Sequence, residues 1–267
     1  MKPHRSWAAT ALFVIALGLS SAANATSISG QGTWETTLQG RDLDGNLATA
    51  EAYYDTMLNI TWMKSTANGG GDWATVNVWA AGLNPYGSNI TGWRLPDTNP
   101  VNGTTLNFTN AYDGSADLGV NISAPGTIYA GSTGSEMAHM YYNTLGNKSY
   151  CDPATSTVSS CSGPQPNWGL TNTGPFSNVM PIGYWSATEA TPSTSYAYVF
   201  GFSSGLQTTG NETIGYGAWA VHSGDVGVAV ATSTVPVPAT VWLFGSGLTG
   251  LFGVAQNMRR GRKLSPP

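Results

Sequence analysis

The chain has 267 residues, and its 14 acidic and 10 basic residues give a formal net charge of −4. Between residues 26 and 235 all 14 acidic residues remain but only four basic ones do, so this segment carries a net charge of −10. Such a surface repels polyanions at moderate ionic strength, which argues against nucleic acid as a partner and against highly sulfated glycans unless a cation bridges them. The length of this segment suits one domain with its own core.

The first 25 residues have the pattern of a secretory signal. Lys2 and Arg5 form a basic start, an apolar run follows over residues 7–19, and Ala23-Asn-Ala25 is an A-x-A cleavage site. The apolar run is too short for a comfortable membrane span. We therefore expect this segment to be removed on export.

A short acidic stretch that begins at Arg41 is the first candidate site of the mature chain. Asp42, Asp44 and Asn46 place oxygen atoms at alternate positions around a glycine turn, as calcium loops do. A complete EF-hand loop would have a glutamate at its twelfth position, which here is Tyr53, so that pattern fails. Calcium is a candidate ligand, and a surface turn held by Asx side chains explains the stretch as well.

Two helices are predicted. Asp72 is placed to cap the first, in which apolar side chains recur at helical spacing over residues 73–83, and Asn84-Pro85 ends it. The second begins with the capping box Thr133-Gly-Ser-Glu136 and stops at Gly146.

The strands are short and the loops between them are long. Aromatic residues alternate in the third predicted strand, which is typical of a half-buried strand, and residues 203–205 after it have the composition of a hairpin turn. Residues 96–130 show little periodicity and are expected to form long loops, where binding residues often lie. Two main helices among short antiparallel strands predict an α+β fold in a single compact domain. The predicted strands are 52–62, 184–188, 196–202 and 219–222.

Cys151 and Cys161 are the only cysteines, and the export signal predicts a structural disulfide between them. Beyond them, Gln-Pro-Asn-Trp at residues 165–168 resembles the Gln-Pro-Asp and Glu-Pro-Asn motifs of calcium-dependent C-type lectins, whose side-chain carbonyls bind calcium and sugar together. This four-residue resemblance implies that Gln165, Asn167 and Trp168 contact a ligand.

The histidines raise the alternative of a metal-dependent enzyme. Glu136 and His139 lie three residues apart on the second predicted helix, and His222 with Asp225 would complete a metal-binding cluster. Against this, Glu136 already belongs to the capping box and His139 lies in the buried stripe of that helix. No Gly-x-Ser-x-Gly, Walker or His-Glu-x-x-His motif occurs, so we expect a protein that is not an enzyme.

The chain ends in a second targeting pattern. Residues 239–255 are uncharged and largely apolar, and the basic cluster around Arg259 and Arg260 that follows would stay in the cytoplasm by the positive-inside rule. With Pro236 and Pro238 in front, this ending resembles the PEP-CTERM sorting tail that exosortases of Gram-negative bacteria process, although the namesake Pro-Glu-Pro is here Pro-Val-Pro. The resemblance implies transient contact with the inner membrane and removal of the tail. A permanent membrane anchor is the alternative.

Five segments between residues 51 and 227 form a recognisable signature. They are Tyr54-Asp-Thr56 with Thr61-Trp62, the predicted helix over 73–83, Gly92-Trp-Arg-Leu-Pro96, Tyr184-Trp-Ser-Ala-Thr-Glu189 and Ala218-Trp-Ala-Val221. The signature resembles the Lcl C-terminal domain family, named after a collagen-like bacterial adhesin. The resemblance implies a fold related to C-type lectins and a binding role at the surface. Its structural signature residues here are Trp93, Arg94, Trp185 and Glu189.

Two consequences of the resemblance are specific to this chain. Arg94 beside a buried tryptophan is expected to pair with a carboxylate, and Glu189 is the predicted partner because both residues lie in signature segments. The namesake domain binds sulfated glycosaminoglycans, and we do not expect that ligand here because the mature segment carries −10.

The sequence therefore predicts three parts: a signal over 1–25, a domain over 26–235 with its core at 51–227, and a sorting tail over 236–263. The expected protein is exported to the periplasm, cell surface or extracellular matrix of a Gram-negative bacterium, is sorted by an exosortase, and binds a neutral or cation-bridged surface glycan. The alternatives are a structural biofilm-matrix component without a defined ligand and a metal-dependent enzyme of the envelope. No cofactor is expected, apart from the calcium candidate.

Overall fold

The computed structural model describes residues 26–191 and 193–231. Nearly all of them belong to one compact unit that ends at Ala229. Within this part of the chain, no helix has both the length and the apolar character needed to cross a membrane. Several predictions fall outside the described residues: the signal segment 1–25, the apolar segment 239–255, and the sorting residues Pro236, Pro238, Arg259 and Arg260.

The fold is mixed α+β, with short helices and two sheets, as the sequence predicts. The helices are α1 (Trp34–Thr37), α2 (Trp73–Ala81) and α3 (Glu136–His139), which continues as a π-helical turn over Met140–Thr144, and a 3-10 turn covers Pro85–Gly87.

The first sheet is antiparallel throughout. Its spatial order is β13 (Val228–Ala229), β1 (Leu38–Asp42), β2 (Ala52–Asp55), β3 (Ile60–Met63), β12 (Val221–Ser223) and β5 (Trp93–Arg94). The second sheet is mixed, because the β11–β8 and β6–β7 pairs are parallel. Its spatial order is β4 (Ala67–Gly71), β11 (Tyr216–Ala218), β8 (Gly183–Glu189), β9 (Tyr196–Gly201), β10 (Leu206–Asn211), β7 (Leu118–Gly119) and β6 (Asn110–Ala111).

Local signals in the sequence place two features correctly. Asp72 caps α2, with its Oδ1 accepting a hydrogen bond from the Thr75 amide at 2.7 Å, and Val76 and Ala80 are buried on the inner face of the helix. Residues 203–205 form the turn of the β9–β10 hairpin, in which Gly201 pairs with Leu206. Both depend on neighbouring residues alone, which is why the sequence reveals them.

The single strand predicted over 52–62 is wrong, because the structure divides it into β2 and β3. The turn between the two strands is held by Asp55, whose Oδ1 accepts hydrogen bonds from the Met57 and Leu58 amides at 2.9 and 3.2 Å. Asn59 then adopts a φ of 53°, in the left-handed region that asparagine tolerates. Strand β9 also differs from its prediction: Ala197 and Val199 are buried as well as Tyr198 and Phe200, so both faces of the strand are covered beyond the exposed Tyr196 at its start.

The main core is aromatic and joins both sheets to the segment after α3. Trp62 of β3 and Trp219 lie with ring centroids 4.7 Å apart, and Tyr184 of β8 lies 5.2 Å from Phe202. Tyr141 of the π-helical turn lies 5.4 Å from the same Phe202. All five side chains are fully buried. Each large ring removes a wide apolar area from water, so this cluster supplies much of the driving force for folding.

Arg94 joins β5 to the start of α3. Its two terminal nitrogens donate to the two carboxylate oxygens of Glu136 at 2.8 and 2.7 Å, and Asp97 lies 3.2 Å away. The predicted pair with Glu189 is wrong, since Glu189 is exposed at the end of β8. The other two signature residues, Trp93 and Trp185, are buried, and their indole N–H groups donate to the carbonyls of Ile90 and Gly71 at 3.0 Å.

The same ion pair explains why the second helix begins later than predicted. The carboxylate of Glu136 is occupied by Arg94 and by the Asp97 amide, at 2.7 Å, so it does not close a capping box with Thr133. Ser135 caps the helix instead, with its Oγ accepting from the Ala138 amide at 3.3 Å. Gly146 lies just beyond the π-helical turn with a φ of 66°, as a C-terminal stop residue does.

We expect Glu136→Gln to lower the free energy of unfolding by about 2 kcal/mol, because the partly buried guanidinium of Arg94 loses the carboxylate that binds both of its terminal nitrogens and keeps only Asp97. The matched control is Glu189→Gln, which changes an exposed carboxylate and should alter the free energy by less than about 0.5 kcal/mol. Urea denaturation of both variants at pH 7 measures the difference. Equal effects would show that Arg94 does not depend on Glu136.

Candidate functional site

The predicted calcium residues form a tight turn, and a carboxylate that was not predicted, that of Glu51, lies close to it. Asp42 Oδ1 accepts hydrogen bonds from the amides of Asp44, Gly45 and Asn46 at 2.8–3.1 Å. The ligand atoms of Asp42, Asp44 and Glu51 lie within 4.8 Å of one another, the one such group of metal-ligating side chains in the part of the chain that is described.

Asn46 extends the turn, since its Oδ1 accepts from the Ala48 amide at 3.2 Å. Strand pairing brings Glu51 to the turn, because β1 and β2 align Arg41 with Ala52, the residue after Glu51. Oxygen ligands of this kind suit calcium, but Asp42 is already used by three backbone amides. The Asx turn accounts for the arrangement without a cation.

The residues weighed for a metal-dependent enzyme do not come together. Glu136 is bound to Arg94, and Asp225 pairs with Arg41, whose Nε lies 2.6 Å from its Oδ1. His139 is buried with its Nδ1 3.1 Å from the Ser132 carbonyl, and His222 has its Nε2 3.0 Å from the Thr91 carbonyl. Each group therefore has a structural partner of its own.

Cys151 and Cys161 form the predicted disulfide, with an S–S distance of 2.10 Å. The chain folds back beside it, so that Cys151 pairs with Pro164 and Lys148 pairs with Gly169 in isolated antiparallel bridges. The Cys151 carbonyl accepts hydrogen bonds from three side chains. They come from Asn121 at 2.8 Å, Ser149 at 2.7 Å and Gln165 at 3.1 Å.

A cavity of about 400 Å³ lies beside this disulfide loop. Amide, hydroxyl and charged groups surround it, contributed by four separate stretches of the chain. The lining residues used below are Asn121, Tyr142, Asn147, Lys148, Asp152 and Gln165. We call this space the disulfide-loop cavity.

The inner wall of the disulfide-loop cavity is held rigidly by its own hydrogen bonds. The Tyr142 hydroxyl donates to the Gly205 carbonyl at 2.8 Å and accepts from the Asn121 amide at 2.9 Å. Asn147 Oδ1 accepts from the amides of Thr171 and Asn172 at 2.9 and 2.8 Å. These side chains are buried and their bonding capacity is used inside the protein, so they shape the cavity.

The exposed rim of the cavity carries the polar groups that remain available to bind a ligand. Lys148 is exposed and makes no ion pair with any of the described residues, and the Asp152 carboxylate lines the same cavity. Gln165 donates its amide nitrogen to the Cys151 carbonyl, and its amide oxygen has no hydrogen-bond partner among the described residues. With one positive and one negative side chain, Lys148 and Asp152, the rim has no net charge.

Two exposed aromatic residues lie close in sequence to lining residues of the cavity, and their rings contact each other. Tyr150, which follows the lining residue Ser149, is 40% exposed, and Trp168 is 44% exposed. Their ring centroids are 5.2 Å apart in an edge-to-face arrangement. Exposed neighbouring rings of this kind offer apolar faces to a ligand.

The three residues predicted to bind a ligand therefore have different positions. Gln165 lines the cavity, whereas Asn167 and Trp168 are exposed and do not line it. Asn167 has a φ of 58°, which turns the chain before Trp168. Sequence reasoning missed Lys148 and Asp152, since nothing in their spacing marks them as neighbours across a cavity.

Three acidic side chains are held in surroundings that disfavour their charge. Burial raises the pKa of Asp55, Asp97 and Asp117 above its usual range. Hydrogen bonds act in the opposite direction at the surface, where they lower the pKa of Glu35 and Asp72. The two groups of carboxylates therefore respond in opposite ways to acid.

Comparison with known proteins identifies no family for this chain. No family model matches it, and no curated protein matches it either. The resemblance to the Lcl C-terminal domain family stays a prediction from the sequence.

We expect the buried carboxyls to make the domain more stable as the pH falls from 7 toward the ordinary carboxyl range near pH 4. A carboxyl with a raised pKa binds its proton more tightly in the folded state than in the unfolded state. The free-energy cost of burying it therefore falls as the pH drops through its folded-state pKa. Glu35 and Asp72 oppose this as the pH falls below about 4, because the unfolded carboxylates then bind protons while these two folded ones, whose pKa is lowered, still do not.

Urea midpoints measured between pH 7 and 4 test this expectation. Asp117→Asn should flatten the slope, because it removes one of the carboxyls whose burial raises the pKa. A midpoint that falls steadily from pH 7 would contradict it.

Proposed function

We propose that this chain is an exported, non-enzymatic binding protein whose domain holds a neutral glycan at the disulfide-loop cavity. The observation that carries the proposal is the combination of a cavity whose lining includes amide, hydroxyl and charged groups with the exposed Tyr150–Trp168 pair, which lies close to lining residues in the sequence. Sugars present both hydroxyl groups and apolar ring faces, and a site that recognises them combines the corresponding polar and aromatic groups.

The charge of the domain favours a neutral ligand. The segment 26–235 carries four basic and 14 acidic residues, so a polyanionic glycan would approach against repulsion. At the cavity itself Lys148 and Asp152 balance each other, and no excess of positive charge marks an anion site. A cation-bridged glycan needs metal-binding groups, and the acidic turn at Asp42 supplies the candidate set.

Rigidity supports the same proposal. The disulfide, the two isolated bridges and the hydrogen bonds of Asn121 and Asn147 fix the cavity walls before any ligand arrives. A site prepared in this way loses little conformational entropy on binding, which suits a ligand that offers only modest contacts.

The location is part of the proposal and rests on the sequence. The signal over 1–25 and the disulfide both fit an exported protein, and the tail over 236–263 resembles an exosortase substrate. The lectin-like relationship of the fold belongs to this proposal as well, with the mixed α+β architecture in its support.

We expect the full chain to bind at least one neutral glycan saturably on a glycan array. Trp168→Ala should weaken that binding about tenfold, because an exposed ring face is lost without disturbing the core. The control is Tyr86→Ala, at an aromatic residue that is 63% exposed elsewhere. Arrays probed with calcium and with EDTA separate direct from cation-bridged binding. Equal affinity of both variants, or no binding at all, would refute the site.

Intact-mass measurement of the protein recovered from the envelope of a bacterium that carries an exosortase tests the sorting proposal. We expect a mature chain that has lost the residues beyond about Pro238. Replacement of Arg259 and Arg260 by glutamine should leave the tail uncleaved, since the basic stop is part of the signal. A mature protein that keeps the whole tail would overturn this part of the proposal.

A further inference from the structure

A second concavity lies on the second sheet and shares no lining residue with the disulfide-loop cavity. Its volume is about 440 Å³, and we call it the aromatic platform. Phe108 and Tyr196 line it with their rings, and both are exposed, by 43% and 41%. Thr191, Ser193 and Thr209 add hydroxyl groups to its lining.

Strand register places a buried tyrosine beneath this surface. Residues 196 and 198 project from the same face of β9, because side chains alternate along a strand. Thr209 of β10 lies directly opposite Tyr198. The ring of Phe108 stacks over Tyr198 with centroids 6.3 Å apart and planes at 27°. Three residues of the platform, Phe108, Tyr196 and Thr209, therefore adjoin the Tyr198 side chain.

The hydroxyl of Tyr198 is buried without a hydrogen-bond partner among the described residues. The neighbouring carboxylate of Asp117 accepts from the amides of Val101 and Asn107 at 2.7 Å and makes no hydrogen bond with this hydroxyl. Burial raises the pKa of Tyr198, so the hydroxyl keeps its proton and remains a donor. A buried polar group with no partner is rare in folded proteins and calls for an explanation.

The platform also differs from the rest of the domain in charge. None of its lining residues is ionisable apart from the phenol of Tyr196, although the domain around it is strongly acidic. Aromatic rings, threonine and serine hydroxyls and one unused phenolic donor match the apolar faces and hydroxyl groups of a pyranose ring. They include no charged side chain to pair with an ionic ligand.

We propose that the aromatic platform is a second site for neutral saccharide, at which a sugar ring stacks on Phe108 and Tyr196 and an inserted hydroxyl group accepts from Tyr198. The inference deepens the proposed glycan-binding function by giving one domain two contacts with the same class of ligand. Two weak sites on one rigid domain hold a polysaccharide chain far more tightly than either does alone.

The test is affinity electrophoresis of the full chain in gels that contain a soluble neutral polysaccharide, with dextran, galactomannan and mixed-linkage β-glucan as probes. Tyr196→Ala should raise the dissociation constant for the retarding polysaccharide about tenfold, and the combination with Trp168→Ala should abolish retardation. Tyr86→Ala is again the matched aromatic control.

A second variant distinguishes weaker saccharide binding from a loss of retardation that is caused only by altered packing. Tyr198→Phe should leave the melting temperature of the free protein unchanged or raise it, because it removes an unpaired buried hydroxyl, and should still weaken retardation. Thr191→Asp places a charge on the rim without removing a ring and should weaken it too.

The outcomes separate the two sites. Loss of retardation in Trp168→Ala alone, with the platform variants equal to Tyr86→Ala, overturns the platform and leaves the disulfide-loop cavity standing. Loss in the platform variants alone supports the platform and overturns the cavity. If no probe retards the wild-type chain, both are overturned.

Discussion

The fold depends on short polar side chains that satisfy the backbone where regular structure is scarce. Between β5 and β8 the chain forms only brief strands and one short helix, so many buried amides and carbonyls have no ladder partner. Asn172 shows the solution: its Oδ1 accepts from the amides of Ile28 and Gly174, and its Nδ2 donates to the carbonyls of Gln31 and Leu145. One side chain thus joins segments about 140 residues apart in the chain.

The same chemistry explains why the loops are rich in Asn, Asp, Thr and Ser. Asn102 and Asn211 each accept from the backbone amide two residues later and from the hydroxyl of that same threonine. Asp113 does the same with Ser115. The frequent Asn-x-Thr triplets are in these cases self-contained turns, so their occurrence follows from the architecture of the loops.

What was predictable from the sequence was local. The cap at Asp72, the hairpin turn at 203–205 and the disulfide follow from nearby residues or from two cysteines that have no other partner. The partner of Arg94 was not predictable in this way. The sequence pattern assigned Glu136 to a capping box, and only the tertiary fold brings it to β5. The disulfide-loop cavity is assembled from four chain segments, and no spacing or periodicity in the sequence marks such a surface.

The carbonyl of Cys151 is the point at which the disulfide-loop cavity is tied together, since Asn121, Ser149 and Gln165 all donate to it. The position of that carbonyl is set by a covalent bond that forms only under oxidising conditions. Under the export that we propose, the reduced chain would lack this tie before translocation. The proposed ligand pocket would then take its finished form only after the chain reaches an oxidising compartment.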